Sequence, residues 1–212
     1  MSLYLHLLRH GETTHSQTGG FCGSLDPELT ASGKQMAQAF ADTYKQQSWE
    51  AVFCSPMKRT IATAQPLCEA VGIEPQLRDG LKEIDYGQWE DRTLAEVQKK
   101  DAEAYMLWQR EPDWNPPTDG ETTIQIASRA SLVIAEIEEK YTSGNVLVVS
   151  HKATIRIILC SLLGIDLGRY RDRIDMPVAT VSVVKFDTYG PMLQRLGDRS
   201  HLPKALRDRE GT

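Results

Sequence analysis

Three short apolar runs constrain the fold of this chain most: residues 3–8 (Leu-Tyr-Leu-His-Leu-Leu), 51–54 (Ala-Val-Phe-Cys) and 146–149 (Val-Leu-Val-Val). Runs of this length with almost no polar interruption are strands covered on both faces, the pattern of a parallel sheet inside an α/β protein. Segments with helical spacing stand between them. Thr30 can cap a helix to about Gln47 through Met36, Ala37, Phe40 and Tyr44. A second helix starts near Met57 and carries Ile61, Ala64, Leu67 and Val71, with Pro66 expected to kink it or end it at about Gln65 and Gly72 to stop it. Thr122-Thr123-Ile124-Gln125 reads as a capping box opening a helix to about Tyr141. Residues 152–163 read as a helix stopped by Gly164, and 180–186 and 191–196 as two late strands around a turn at Tyr189-Gly190.

The pattern predicts a three-layer α/β/α arrangement, a mostly parallel central sheet flanked by helices. With 212 residues the chain fits one domain over 1–202. Residues 79–120, punctuated by Pro112, Pro116 and Pro117, form an irregular insertion, and 203–212 a loose polar tail. The balance of 24 basic against 29 acidic side chains, a net charge of −5, argues against a nucleic-acid binder or a membrane-surface protein. Cys22, Cys54, Cys68 and Cys160 lack the spacing of a zinc site, and no secretory or membrane-spanning segment is visible, so a cytoplasmic address without a metal is expected.

The polar residues that follow the strands carry the chemistry. Arg9-His10-Gly11-Glu12-Thr13 follows the first run, Arg59 the second, and His151-Lys152 the last, so the same carboxyl edge of the sheet gathers two arginines and two histidines. Guanidinium groups grip phosphoryl oxygens in pairs, and a neutral imidazole nitrogen can attack phosphorus. Gly11 could accept the Nδ1 proton of His10 through its carbonyl and leave Nε2 as nucleophile. His6, His15 and His201 read as structural, and aromatics at 86, 89, 105, 108 and 114 read as packing before substrate contact.

These motifs, with Glu83-Ile84-Asp85-Tyr86-Gly87-Gln88-Trp89-Glu90, Asp119-Gly120-Glu121-Thr122 and Ser200-His201-Leu202, resemble in order those of the histidine phosphatase superfamily, the phosphoglycerate-mutase-like proteins. The acid segment is most similar to the broad-specificity, alpha-ribazole and phosphoserine phosphatases. The resemblance implies that His10 is the phosphorylated nucleophile, that Arg9, Arg59 and His151 bind the phosphoryl group, and that Glu83 donates a proton to the leaving oxygen. Three positions depart from the family's pattern: Ser16 where Asn is common, Lys152 where Gly follows the histidine, and Asp91 where Gly is frequent. Ser16 could still contact phosphate, and Lys152 adds positive charge suited to an acidic substrate. The implied reaction is metal-independent hydrolysis of a small phosphomonoester with no cofactor. A cofactor-dependent phosphoglycerate mutase and, further off, a non-catalytic phospho-ligand-binding module are the alternatives. An edge strand over 191–196 could pair two copies into a homodimer.

Overall fold

A computed structural model describes residues 2–209. The three apolar runs are strands β1 (Leu3–Arg9), β2 (Ala51–Cys54) and β4 (Gly144–Ser150), joined by a short β3 (Gln76–Leu77), β5 (Val181–Asp187) and β6 (Gly190–Asp198). They form one sheet in the order β3-β2-β4-β1-β5-β6. The first four strands in that order are mutually parallel, and β5 alone runs against the rest. The expected mostly parallel sheet is therefore observed.

Alternation along the strands divides the core between two faces. Leu3, Leu5, Leu7, Phe53, Val146 and Val148 pack under α6 (Thr123–Lys140) and α7 (Lys152–Leu163) through residues such as Ile126, Ile134, Ile155 and Ile158. Leu8, Val52, Cys54, Leu147 and Val149 meet Phe40, Tyr44, Ala64 and Leu67 of α2 (Ala31–Tyr44) and α3 (Lys58–Val71) on the other. These are the three layers. The four cysteines are free thiols, three of them buried. Among the described residues no helix is long and apolar enough to cross a membrane.

Local chemistry sets the boundaries. The Thr122–Gln125 capping box opens α6 as expected, and left-handed glycines at 72 and 164 close α3 and α7. Helix α2 stops at Tyr44, short of Gln47, because the Trp49 indole donates to the Tyr44 carbonyl at 3.1 Å and draws the chain away. Pro66 does not end α3. The helix continues to Val71 because Leu67 and Cys68, beyond the proline, bury on the same face as Thr63 and Ala64 before it, and that burial offsets the missing backbone bond.

The expected loose tail is also corrected, since a short helix over Lys204–Arg207 docks Leu206 beside Leu202, Met36 and Val178. Beyond it, Arg209 reaches the buried Glu12 at 2.8 Å, while residues 210–212 of that stretch lie outside the described residues. Residues 79–120 hold two 3-10 turns and helices α4 (Leu94–Lys100) and α5 (Ala102–Arg110) around their own cluster of Trp89, Val97, Tyr105 and Trp108.

One backbone crossing fixes the turn after β1. The chain at Gly11 and Glu12 passes over the first turn of α2 so closely that a Cβ at Gly11 would lie 2.6 Å from the Gly33 carbonyl, and one at Gly33 2.2 Å from the Glu12 carbonyl. Backbone stands on both sides, so no side chain can yield. Gly33→Ala is expected to cost roughly 2 kcal/mol or more of stability by overpacking, read as a lowered denaturation midpoint. A midpoint equal to that of the parent chain would contradict the crossing.

Candidate active site

Since β1, β2 and β4 are parallel neighbours, their carboxyl ends bring Arg9, Arg59 and His151 to one edge. A cavity of about 190 Å³ opens there, lined among others by Arg9, His10, Ser16, Arg59, Glu83 and Lys152. Six of the seven residues singled out from sequence thus share one small chamber. It is below the ~300–1,000 Å³ of clefts for drug-sized ligands, which suits a small molecule.

His10 stands at its floor. Its Nδ1 lies 2.8 Å from the Gly11 carbonyl, which can only accept, so Nδ1 carries the proton and Nε2 the lone pair. The Gly11 amide in turn donates to Thr63 Oγ1 at 3.0 Å, and Thr63 donates to the Arg59 carbonyl. Burial, then the cations Arg59 and Arg9, hold His10 well below the usual imidazole range, so it is neutral at physiological pH.

The arginines are held without being neutralised. Arg9 Nη1 donates to the Met176 carbonyl, while its buried Nε has no partner among the described residues. Burial lowers it to about 9, still cationic at pH 7. Arg59 donates to the carbonyls of Leu25 (2.6 Å) and Gly23 (3.1 Å), and its nearest carboxylate, Asp26, is 3.8 Å away. Glu90 organises those carbonyls, its carboxylate accepting from the amides of Gly23 and Ser24 at 2.8–3.0 Å and from Tyr86 at 3.2 Å.

His151 is fully buried behind this chamber and does not line it. Arg59 Nε donates to its Nδ1 at 3.2 Å, so Nε2 carries the proton and donates to Ser55 Oγ at 2.8 Å. The ring stands 5.3 Å from that of His10, nearly edge to face. In this arrangement both nitrogens are engaged, and the residue orients Arg59. Ser16 lines the cavity, but its hydroxyl donates to the Thr13 carbonyl within the cap of α1 (Thr14–Thr18).

Glu83 faces the chamber from the insertion. Its carboxylate accepts from the amides of Ile84 (3.0 Å), Ala153 and Thr154 (both 3.2 Å), the latter two at the start of α7. Arg129 clamps the loop below it, donating to the carbonyls of Gly80, Lys82 and Glu83 while paired through two bonds with Glu121. Sequence reading singled out neither Thr63, Glu90 nor Arg129 as a functional residue. Tyr86, Phe21 and Cys22 also line the cavity, whereas Trp89, Tyr105 and Trp108 pack beneath it and Trp114 is exposed. Asp91 has a φ of 60°, which explains why glycine suits that position, and its carboxylate meets His15 at 3.1 Å. Among the described residues no group of three or more His, Cys, Asp or Glu is arranged to hold a metal ion.

The model of the histidine phosphatase superfamily (branch 1) matches residues 5–199. Phosphoserine phosphatase 1 of Hydrogenobacter thermophilus is 30% identical, covering 93% of each chain. The adenosylcobalamin/alpha-ribazole phosphatase of Escherichia coli is 31% identical over 76% of this chain and 79% of its own. The crystal structure of the alpha-ribazole phosphatase from Shigella flexneri superimposes with a TM-score of 0.83 at 26% identity, covering 93% and 96% of the two chains.

Four buried histidines share a lowered pKa: His10 and His151 well below 6.5, His6 and His201 at about 4, in each case chiefly through burial. The unfolded chain takes up these protons near pH 6.5 and the folded chain only lower, so the stability they contribute is complete above 6.5 and lost as pH falls below it. Chemical denaturation at pH 5.5 is expected to give a stability up to roughly 5 kcal/mol below that at pH 7. Equal stabilities would contradict neutral buried imidazoles.

Proposed function

As the chain belongs to the histidine phosphatase superfamily, branch 1, we propose that it hydrolyses a small phosphorylated metabolite through a phosphohistidine on His10, without a metal ion. Relatives named as phosphatases across most of its length make it a phosphoric monoester hydrolase. The observation that carries the mechanism is the neutral His10 ring, its proton fixed on Nδ1 by Gly11, in a chamber that it lines with two arginines and one carboxyl group.

In the first step Nε2 attacks phosphorus and the bond to the ester oxygen breaks, while protonated Glu83 gives its proton to that departing oxygen. The ring, now N-phosphorylated and positive, keeps its proton on Nδ1, which donates to the Gly11 carbonyl. Arg9 and Arg59 neutralise the phosphoryl oxygens, with His151 as the group that orients Arg59. In the second step water attacks phosphorus, its proton passes to the Glu83 carboxylate, the N–P bond breaks, and phosphate leaves a neutral His10. Both steps need positioning and charge, which these side chains supply by themselves.

The names of the relatives make phosphoserine and alpha-ribazole phosphate the first substrates to try. The phosphatase reading ranks above the mutase because those relatives, matched along most of their length, are named phosphatases. Phosphate release from a panel of phosphomonoesters, with 3-phosphoglycerate assayed with and without 2,3-bisphosphoglycerate, in chelator-treated buffer tests it. His10→Ala is expected to lower release on the order of 10³-fold or more, and Glu83→Gln to slow the first step, read as release of the alcohol within the first turnover, about 10²-fold for alkyl esters while sparing that step for phenolic ones that leave without a proton. Isomerisation of phosphoglycerate with little release would favour the mutase. Equal losses on both ester classes would remove Glu83 as the acid.

A further inference from the structure

The phosphoryl group has its cations in Arg9 and Arg59, yet the same chamber holds another. Lys152, the first residue of α7, lines the cavity half-buried, and its ammonium makes no hydrogen bond or ion pair among the described residues. Lys45, Lys82, Lys140 and Lys185 each sit within about 3 Å of a carboxylate, and Lys34, Lys58, Lys99 and Lys100, which have no such pair, are exposed to solvent.

One turn further along the same helix stands Arg156, only 8% exposed. Its Nε is sealed without a partner, and its closest carboxylate, the outward-facing Asp175, is 3.9 Å away. Burial, then Arg9 and Arg156, bring Lys152 down to about 8, so it stays charged at pH 7 in a field set by other cations. An ammonium withdrawn from water beside two buried guanidinium groups is unfavourable until an anion joins it. Glu83 also bears on Lys152, but its oxygens are engaged by the amides that begin α7.

We propose that Lys152, backed by Arg156, forms a second anion subsite, so that the preferred substrate carries a carboxylate a few bonds from its phosphoester oxygen. The inference rests on the hydrolase reading above and specifies the substrate class. A chamber of about 190 Å³ has space for a phosphoryl group and a short carboxylated carbon chain.

The test is a matched pair differing only in the carboxylate, O-phosphoserine and O-phosphoethanolamine, with p-nitrophenyl phosphate as the reference for a folded, working site. The parent enzyme is expected to favour phosphoserine by ten- to a hundredfold in kcat/KM, chiefly through KM. Lys152→Met should bring that ratio close to one, and Lys152→Arg should restore most of it. A ratio near one in the parent enzyme, or a Lys152→Met variant that keeps the parent ratio, would overturn the subsite. If p-nitrophenyl phosphate itself is not hydrolysed, the hydrolase reading fails instead. Calorimetric binding of the same pair to the parent chain and to Lys152→Met then decides the subsite alone: tighter phosphoserine binding that depends on Lys152 upholds it, and equal affinities overturn it.

Discussion

A histidine can serve as a nucleophile only if one nitrogen keeps a lone pair and faces the substrate, and the carbonyl of Gly11 meets that requirement by holding the proton of His10 on the other nitrogen. Much of the surrounding architecture fixes that carbonyl. Thr63 holds the Gly11 amide from α3, and the contact between the Gly11–Glu12 backbone and Gly33 locks the same turn against α2. Thr30 links the two elements again, capping α2 through the Gly33 amide and donating to Glu12, which also receives Arg209. A neighbouring helix on each side therefore sets the ring of one side chain.

Charge follows the same economy. Arg9 and Arg59 are oriented by carbonyl oxygens and a neutral imidazole rather than by close carboxylates, so their positive charge stays available to an incoming anion. The nearby carboxylates act on backbone instead: Glu90 gathers the amides of 23–24, and Glu121 holds Arg129 against the loop that carries Glu83. This division lets an anion enter without first displacing an internal ion pair. Burial, reinforced by these same cations, disfavours imidazolium and keeps both histidines neutral.

Much of this was legible from the chain alone because strand burial and position after a strand are local signals. The apolar runs at 3–8, 51–54 and 146–149 marked the strands, and Arg9, His10 and Arg59 had to emerge at their carboxyl ends. What escaped was whatever depends on a partner distant in sequence. Pro66 looked like a helix end because its local cost is visible and the burial beyond it is not. The polar stretch after Pro203 concealed Leu206 and Arg209, whose partners lie near residues 36 and 12. Glu90 likewise gave no sign of bonds reaching some 65 residues back.

The central claim is that phosphate passes through a covalent bond to His10. Mixing the enzyme with a ³²P-labelled ester and quenching in alkali within the first turnover should trap label on the protein, stable to base and released by acid, in the peptide that contains His10. Turnover with no protein-bound label before the first phosphate is released, or label in any other peptide, would contradict it.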